Sequence, residues 1–410
     1  MKLAIVGCGY VADFYAATLV NYPHLQVVAV ADRNAERAER FSRHWGFPIA
    51  PALEAILEGP SDIVVNLTNP RSHFEITRRA LEAGKHVYSE KPLGMSLPEA
   101  RRLGELAEAQ HRALACAPCS VLGETAQTLL RALREEIIGV PRLVFAELSD
   151  GLIHLRNYQA WISPSGASWP YMDEFEVGCA LEHAGYYVTW LVGMFGPARA
   201  VTTFASTLVP DKATALPLDE ARPDFYVACI EFAGGVVARL TCSIYADIDH
   251  SLRIFGDRGA LSTPTCWDYD SPVHALVPRD RIPPRPSASR ESLLRRLAAA
   301  LPGAVRLGRP AEEGAWTIPL VRPADFRGGE TGAARMDFAR GIAEMAEAIE
   351  EQRPPRLSGP FALHTNEIVL AMTSPASIGR RHQLETTCGP MVPMPWARRM
   401  ARPSARRRGG

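Results

Sequence analysis

The 410-residue chain is long enough for two domains. Its 45 basic and 45 acidic residues cancel to a formal net charge of zero, which excludes a global field for holding nucleic acid or an anionic membrane. Hydrophobic residues make up 47%, yet no run approaches the roughly 18 apolar residues that span a bilayer, so a water-soluble, cytoplasmic protein is expected.

The first apolar run, KLAIV at 2–6, leads directly into Gly7-Cys8-Gly9-Tyr10-Val11-Ala12. This matches G-x-G-x-x-A between a strand and a helix, the setting in which it reads as a dinucleotide fingerprint. Gly7 permits the tight turn, Gly9 lets a pyrophosphate approach the backbone, and Ala12 keeps helix and sheet close. The helix amino terminus then attracts the phosphates. A second strand, VVAVA at 27–31, ends on Asp32, placed to accept hydrogen bonds from the adenosine ribose, which favours NAD. The adjacent Arg33 leaves NADP open, because a guanidinium suits a 2′-phosphate. NAERAERFSRHWG, closed by Gly46, and SHFEITRRALEAG, capped by Ser72 and closed by Gly84, predict amphipathic helices. IVVNL at 63–67 and HVYS at 86–89 predict further strands, and the alternation implies βαβ units around a parallel sheet.

After the fourth strand comes Glu90-Lys91-Pro92. Proline disfavours a helical Lys91, so the extended path carries its side chain over the carboxyl edge of the sheet, where open α/β sheets bind ligands. Hydride transfer at a secondary alcohol needs a group that stabilises a developing alkoxide, and Lys91 fits that task. PEARRLGELAEAQH is a third helix, and ALACA leaves the unit near residue 119. Cys116 and Cys119 form a CxxC, but a redox thiol needs a helix amino terminus that this stretch does not offer.

From about residue 140 long β-prone runs separated by glycine turns predict a mostly antiparallel sheet, with hairpin turns at Gly234-Gly235 and Gly256–Gly259. Residues 177–193 predict a helix between the two regions. Just before it, residues 154–178 gather His154, Arg156, Tyr158, Trp161, Trp169, Tyr171, Asp173 and Glu176, a mixture suited either to a sugar or to a packed surface loop. A Pro- and Arg-rich insertion at 270–330 includes the helical patch ESLLRRLAAAL. Helices at MDFARGIAEMAEAIEEQ and FALHTNEIVLAMTSP follow, then a basic tail at 396–410 predicted to be disordered. The expected organisation is a Rossmann domain at 1–122, a doubly wound parallel sheet, and an α+β domain at 123–395 with a largely antiparallel open sheet. No metal is expected, because His, Cys, Asp and Glu do not cluster at ligand spacing.

The fingerprint, the TNP of Thr68–Pro70, His73 and the Glu90-Lys91-Pro92 motif together resemble the glucose-fructose oxidoreductase, inositol dehydrogenase and rhizopine catabolism (Gfo/Idh/MocA) family over most of the chain. The resemblance implies an NAD- or NADP-dependent oxidoreductase in which Thr68, Asn69, Pro70, His73, Glu90, Lys91 and Pro92 surround the dinucleotide and Lys91 meets the reacting carbon. The implied substrate is a sugar, cyclitol or nucleotide-sugar, and the implied assembly is a dimer or tetramer through the sheet around 225–245. The family's second signature is an aspartate, a glycine two residues on and a histidine two beyond. Aligned on Gly185, it puts His183 at the aspartate and Tyr187 at the catalytic histidine. Tyr187 would then move the proton, with His183 one turn earlier as its relay, and Glu182, Arg156, Trp161, Trp169 and Asp173 would join Lys91 in binding substrate. Two alternatives stay open: a catalytically silent, ligand-sensing relative, and NAD-dependent glycoside cleavage by transient oxidation and elimination.

Overall fold

The computed structural model describes residues 1–215, 222–278, 314–322 and 336–398. The helical patch at 291–301 and the tail from 399 onward lie outside these residues.

In the amino-terminal unit, strands β1 (Lys2–Val6), β2 (Gln26–Ala31), β3 (Ile63–Asn66), β4 (His86–Ser89) and β5 (Leu114–Cys116) alternate with helices α1 (Tyr10–Leu19), α2 (Ala35–Trp45), α3 (Leu53–Leu57), α4 (Pro70–Glu82) and α5 (Leu97–Ala109). The strands are all parallel in the order β2-β1-β3-β4-β5. Alternate residues of β1 feed opposite cores, as the two-residue strand period requires. Leu3 and Ile5 pack with Tyr15 and Phe41 of α1 and α2, while Ala4 and Val6 pack with Leu81 of α4 and Leu103 of α5. Strand order reverses between β1 and its neighbour β3, so the crevice that binds ligands in such sheets opens above their carboxyl ends. Helix α4 begins at Pro70, not at Ser72: proline fits the first helical position, and Asn69 takes the cap place.

The second unit contains α6 (Glu124–Arg134), β6 (Pro141–Ser149), α7 (Tyr171–Val177), α8 (Cys179–Phe195) and β7 (Ala198–Ser206). Strands β8 (Phe225–Phe232), β9 (Val237–Ser243), β10 (Leu252–Gly256), β11 (Ala260–Thr263), β12 (Val273–Leu276) and β13 (Ala315–Ile318) follow. It closes with α9 (Arg340–Glu350), α10 (Gly359–Thr373) and β14 (Arg381–Gln383). Nine strands form one sheet in the order β13-β12-β11-β10-β6-β9-β8-β7-β14, antiparallel except for the parallel pair β6–β9. One face is buried. Along β8, Tyr226, Ala228, Ile230 and Phe232 point inward, whereas Cys229 between them is exposed.

The helix expected over 177–193 is α8, and a separate short helix, α7, ends at Val177 just before it. Gly178 adopts φ 88° and ψ 150°, a conformation outside the helical region that an L side chain rarely adopts, and a Cβ there would lie 2.9 Å from that of Arg222. Helix α8 is apolar nearly all round because it is covered by the sheet on one side and by α10 on the other. The two carboxyl-terminal helices tie the units together. Gly341 of α9 lies against Tyr88 of β4, and the Asn366 amide of α10 donates to the Gly94 carbonyl at 3.1 Å.

Candidate active site

At the β1–α1 turn, Gly7 has φ 97°, and a Cβ on it would sit 2.6 Å from the Leu67 carbonyl at the end of β3. Only glycine fits there. A Cβ on Gly9 would meet nothing within 4 Å, so the backbone is open on the side from which a pyrophosphate would approach. No side chain caps α1, which leaves its first amides free to receive an anion. The residues present thus fit a dinucleotide. Asp32 is largely buried and already accepts from the Cys8 amide at 2.9 Å and the Asn34 amide at 2.8 Å, with Arg37 at 3.6 Å. Arg33 is exposed on the rim.

Two motif residues turn out to be internal braces. Glu90 accepts the Tyr15 hydroxyl at 2.6 Å and the Lys91 amide at 3.0 Å, so its carboxylate fixes the backbone of Lys91 to α1. The buried ring of His73 sets one nitrogen 2.7 Å from the Pro92 carbonyl and the other 3.0 Å from that of Thr68. It clamps the Thr68–Pro70 turn to the Lys91 turn, whose Lys91–Pro92 bond is cis.

Lys91 projects from the end of β4 toward α8, and its Nζ lies 2.5 Å from the Glu182 carboxylate, with both side chains mostly buried. Burial works against the ammonium, but Glu182, Tyr186, Glu90 and Glu174 outweigh it and hold Lys91 well above its ordinary pKa. Burial likewise opposes ionised Glu182, and Lys91 reverses this, holding that carboxyl below its ordinary value. Lys91 is therefore a fixed cation and Glu182 its fixed partner.

The two adjacent tyrosines of α8 lie in different surroundings. Tyr187 is fully buried, its ring edge-on to Trp190 at 5.8 Å and its hydroxyl donated to the His250 carbonyl. It faces the core. Tyr186, one helical turn beyond Glu182, shares the face that meets Lys91 and packs on Trp267 with ring centroids 4.3 Å apart. Among the described residues no hydrogen bond engages its hydroxyl. Burial pushes this phenol up and Lys91 pulls it partly back, so it keeps its proton at neutral pH. The reason for the difference is helical: one residue is 100° of rotation, enough to turn a side chain from one face of α8 to another. His183 is also redirected, into contact with Asp150 and Glu174.

The segment before α8 does two things. Tyr158, Trp169, Tyr171 and Phe175 pack on one another, with Trp161 against Trp169 at 5.0 Å, so these aromatics largely satisfy themselves. Arg156 is exposed and lies against Gly151. The same segment straps the two units together. Ser163 and Ser165 donate to the buried carboxylate of Asp13, which Trp45 also reaches at 2.6 Å, and Glu176 pairs with Arg71. Asp13, Asp150, Glu174, Tyr186 and His250 were not singled out in the sequence. For Tyr186 a signal existed, namely its i, i+4 spacing from Glu182.

The CxxC thiols are both buried, with Cys119 pushed up to about 11 by burial, the opposite of a reactive thiol. Among the described residues no cluster of three His, Cys, Asp or Glu could hold a metal ion, and no helix is long and apolar enough to cross a membrane.

The chain belongs to the Gfo/Idh/MocA oxidoreductase family. Residues 1–117 match its NAD-binding Rossmann fold and residues 127–262 its carboxyl-terminal domain. It is 26% identical to trans-1,2-dihydrobenzene-1,2-diol dehydrogenase of Mus musculus over 287 residues, 68% of this chain and 79% of the relative. The WlbA dehydrogenase of Bordetella pertussis, solved with NADH and UDP-GlcNAcA, superposes with a TM-score of 0.67 at 16% identity, covering 94% of this chain and 98% of that one. A 3-ketoreductase of Actinomadura kijaniata, solved with TDP-benzene and NADP, superposes with a TM-score of 0.64 at 20% identity, covering 91% and 96%. Structures of that ketoreductase include one with a lysine changed to alanine and one with a tyrosine changed to phenylalanine.

Proposed function

We propose that this oxidoreductase reduces a ketone, or oxidises the corresponding secondary alcohol, at a ring carbon of a sugar-like polyol, with Lys91 and Tyr186 at the reacting oxygen. The observation that carries this reading is the pairing of a buried, charged Lys91 with a phenol one turn along α8 whose hydroxyl no described residue engages. A bound nicotinamide would supply or accept the hydride. Lys91 holds its positive charge where oxygen becomes negative, Glu182 keeps the ammonium in place, and Tyr186 gives the oxygen its proton in the reducing direction. The relatives support the substrate class: one is named for a vicinal diol, and two were solved with nucleotide-linked ligands. The ketoreductase variants point to a lysine and a tyrosine of interest in that protein.

Both cofactors fit this reading. Asp32 already accepts from the Cys8 and Asn34 amides, while the exposed Arg33 stands next to it as a candidate partner for a 2′-phosphate. The test is absorbance at 340 nm with NADH and NADPH against ketosugars, cyclitols, diols and nucleotide-sugars, using Lys91→Ala and Tyr186→Phe as controls. Turnover that both substitutions abolish supports the assignment. Tight cofactor binding without turnover of any compound would leave the chain a ligand-sensing relative.

A further inference from the structure

Helix α8 carries a histidine that the proposed reaction leaves unused. His183 follows Glu182 and points elsewhere: its Nδ1 is in ion-pair contact with Asp150, just past β6, and its Nε2 lies 2.8 Å from Glu174 of α7. Asp150 is held on its other oxygen by His250 at 2.9 Å. All three members of the clasp are buried, with side-chain exposures of 14% for His183, 12% for Asp150 and 7% for Glu174. Because α7 and α8 are separated at Gly178, the Glu174–His183 contact braces the chain across that break.

We propose that His183 is a positioning residue: clasped by Asp150 and Glu174, it staples α7 and the end of β6 to α8, and so sets Glu182 and Tyr186 against Lys91. This rests on the site reading given above. Two buried cations face three carboxylates here, Lys91 with Glu182 and His183 with Glu174 and Asp150. Removing either cation strands a negative charge beside the other pair, since Glu174 and Glu182 repel one another. The charged groups facing His183 are Asp150 beyond β6, Glu174 from α7 and Glu182 from its own helix, with His250 behind Asp150. Burial opposes its charge, but Asp150 and Glu174 prevail and hold the imidazolium well above the ordinary histidine range. The staple also orients α7, whose Glu176 reaches Arg71 across the cleft.

The test uses the full chain, the variants His183→Gln and Glu174→Gln/His183→Gln, and two readouts. Isotope-labelled histidine followed by NMR should show His183 titrating well above the midpoint of about 6.5 of an ordinary histidine. A midpoint near that value overturns the proposal. In the ketone-reduction assay with NADPH, His183→Gln should lower kcat by about tenfold or more while KM for NADPH moves less than about threefold. Its pH profile should gain an inflection as stranded Glu174 titrates. The double variant replaces the ion pair by two amides, and should restore kcat to within about threefold and erase the inflection. A double variant as impaired as the single one shows that the stranded Glu174 is not the cause and sinks the staple, as does a single variant with unchanged kcat and pH profile. Should His183→Gln fail to fold, the NMR titration and the double variant decide. If no compound turns over with the wild type, the functional reading fails, and the NMR titration alone still decides the clasp.

Discussion

Adjacent tyrosines on one helix provide the sharpest test of the site, because their hydroxyls have opposite surroundings. Tyr187→Phe removes a buried donor from the His250 carbonyl. An acceptor stranded in this way costs about 1–3 kcal/mol, enough to lower the thermal midpoint by a few degrees. The reacting centre keeps all its groups, so kcat should fall less than about threefold. Tyr186→Phe strands nothing among the described residues and should leave the thermal midpoint within about a degree of wild type. It deletes the proton donor, and general acid catalysis of this kind is worth about 10²- to 10⁴-fold in kcat. Differential scanning fluorimetry and steady-state reduction kinetics on the two purified variants read both effects. The reasoning is refuted by the reverse pattern, a stable but inactive Tyr187→Phe beside an active Tyr186→Phe.

Three further outcomes are expected. Stability conferred by His183 is fully present below its unfolded pKa of about 6.5 and is lost as pH rises through its raised folded value. The wild-type thermal midpoint should therefore decline above neutrality, and calorimetry on Glu174→Gln/His183→Gln should give a flatter profile; equal slopes would remove His183 from the account. Asp13→Ala takes away the carboxylate that holds Ser163 and Ser165. Since hydrogen bonds to a charged group contribute about 1.5–3 kcal/mol, the strap should loosen and NADPH should dissociate about tenfold faster in stopped-flow displacement; an unchanged rate would mean that the strap does not retain cofactor. Arg33→Ala should weaken NADPH about tenfold in a fluorescence titration and leave NADH within about twofold, whereas equal losses would place Arg33 outside cofactor discrimination.

The parallel unit was legible in the sequence because its signals are local. A strand buried on both faces reads as an unbroken apolar run, and Gly7 and Gly9 lie in consecutive turns of the motif they serve. The long antiparallel runs and the turns at Gly234-Gly235 and Gly256–Gly259 are local as well. Long-range pairing was not legible. That β6 lies parallel to β9, between it and β10, depends on which edge each strand finds after the chain has passed through α8. Helix α7 was hidden for a related reason: its mixture of aromatics and carboxylates reads as well as a loop, and only the backbone angles of Gly178 set it apart from α8.

The candidate site was legible down to the level of the helix, whereas the structure turns the expected Tyr187 into the core. Aligning a family pattern on Gly185 uses a residue without a side chain to decide where its neighbours' side chains point. A rule based on α8 itself would have used the partner of Lys91: a buried ammonium requires a carboxylate, and Glu182 is the only acidic residue in GCALEHAGYY. Once Glu182 faces Lys91, the residue stacked above it is i+4, which is Tyr186, and His183 and Tyr187 are both rotated away by 100°. His183 then requires partners of its own, and none lies close to it in the sequence. Asp150 and Glu174 come from the end of a strand and from a separate helix, and they meet His183 only once β6 and α7 have packed against α8. Charge satisfaction thus orders the site in two steps, the lysine choosing the face of the helix and the histidine fixing its rotation against the rest of the fold.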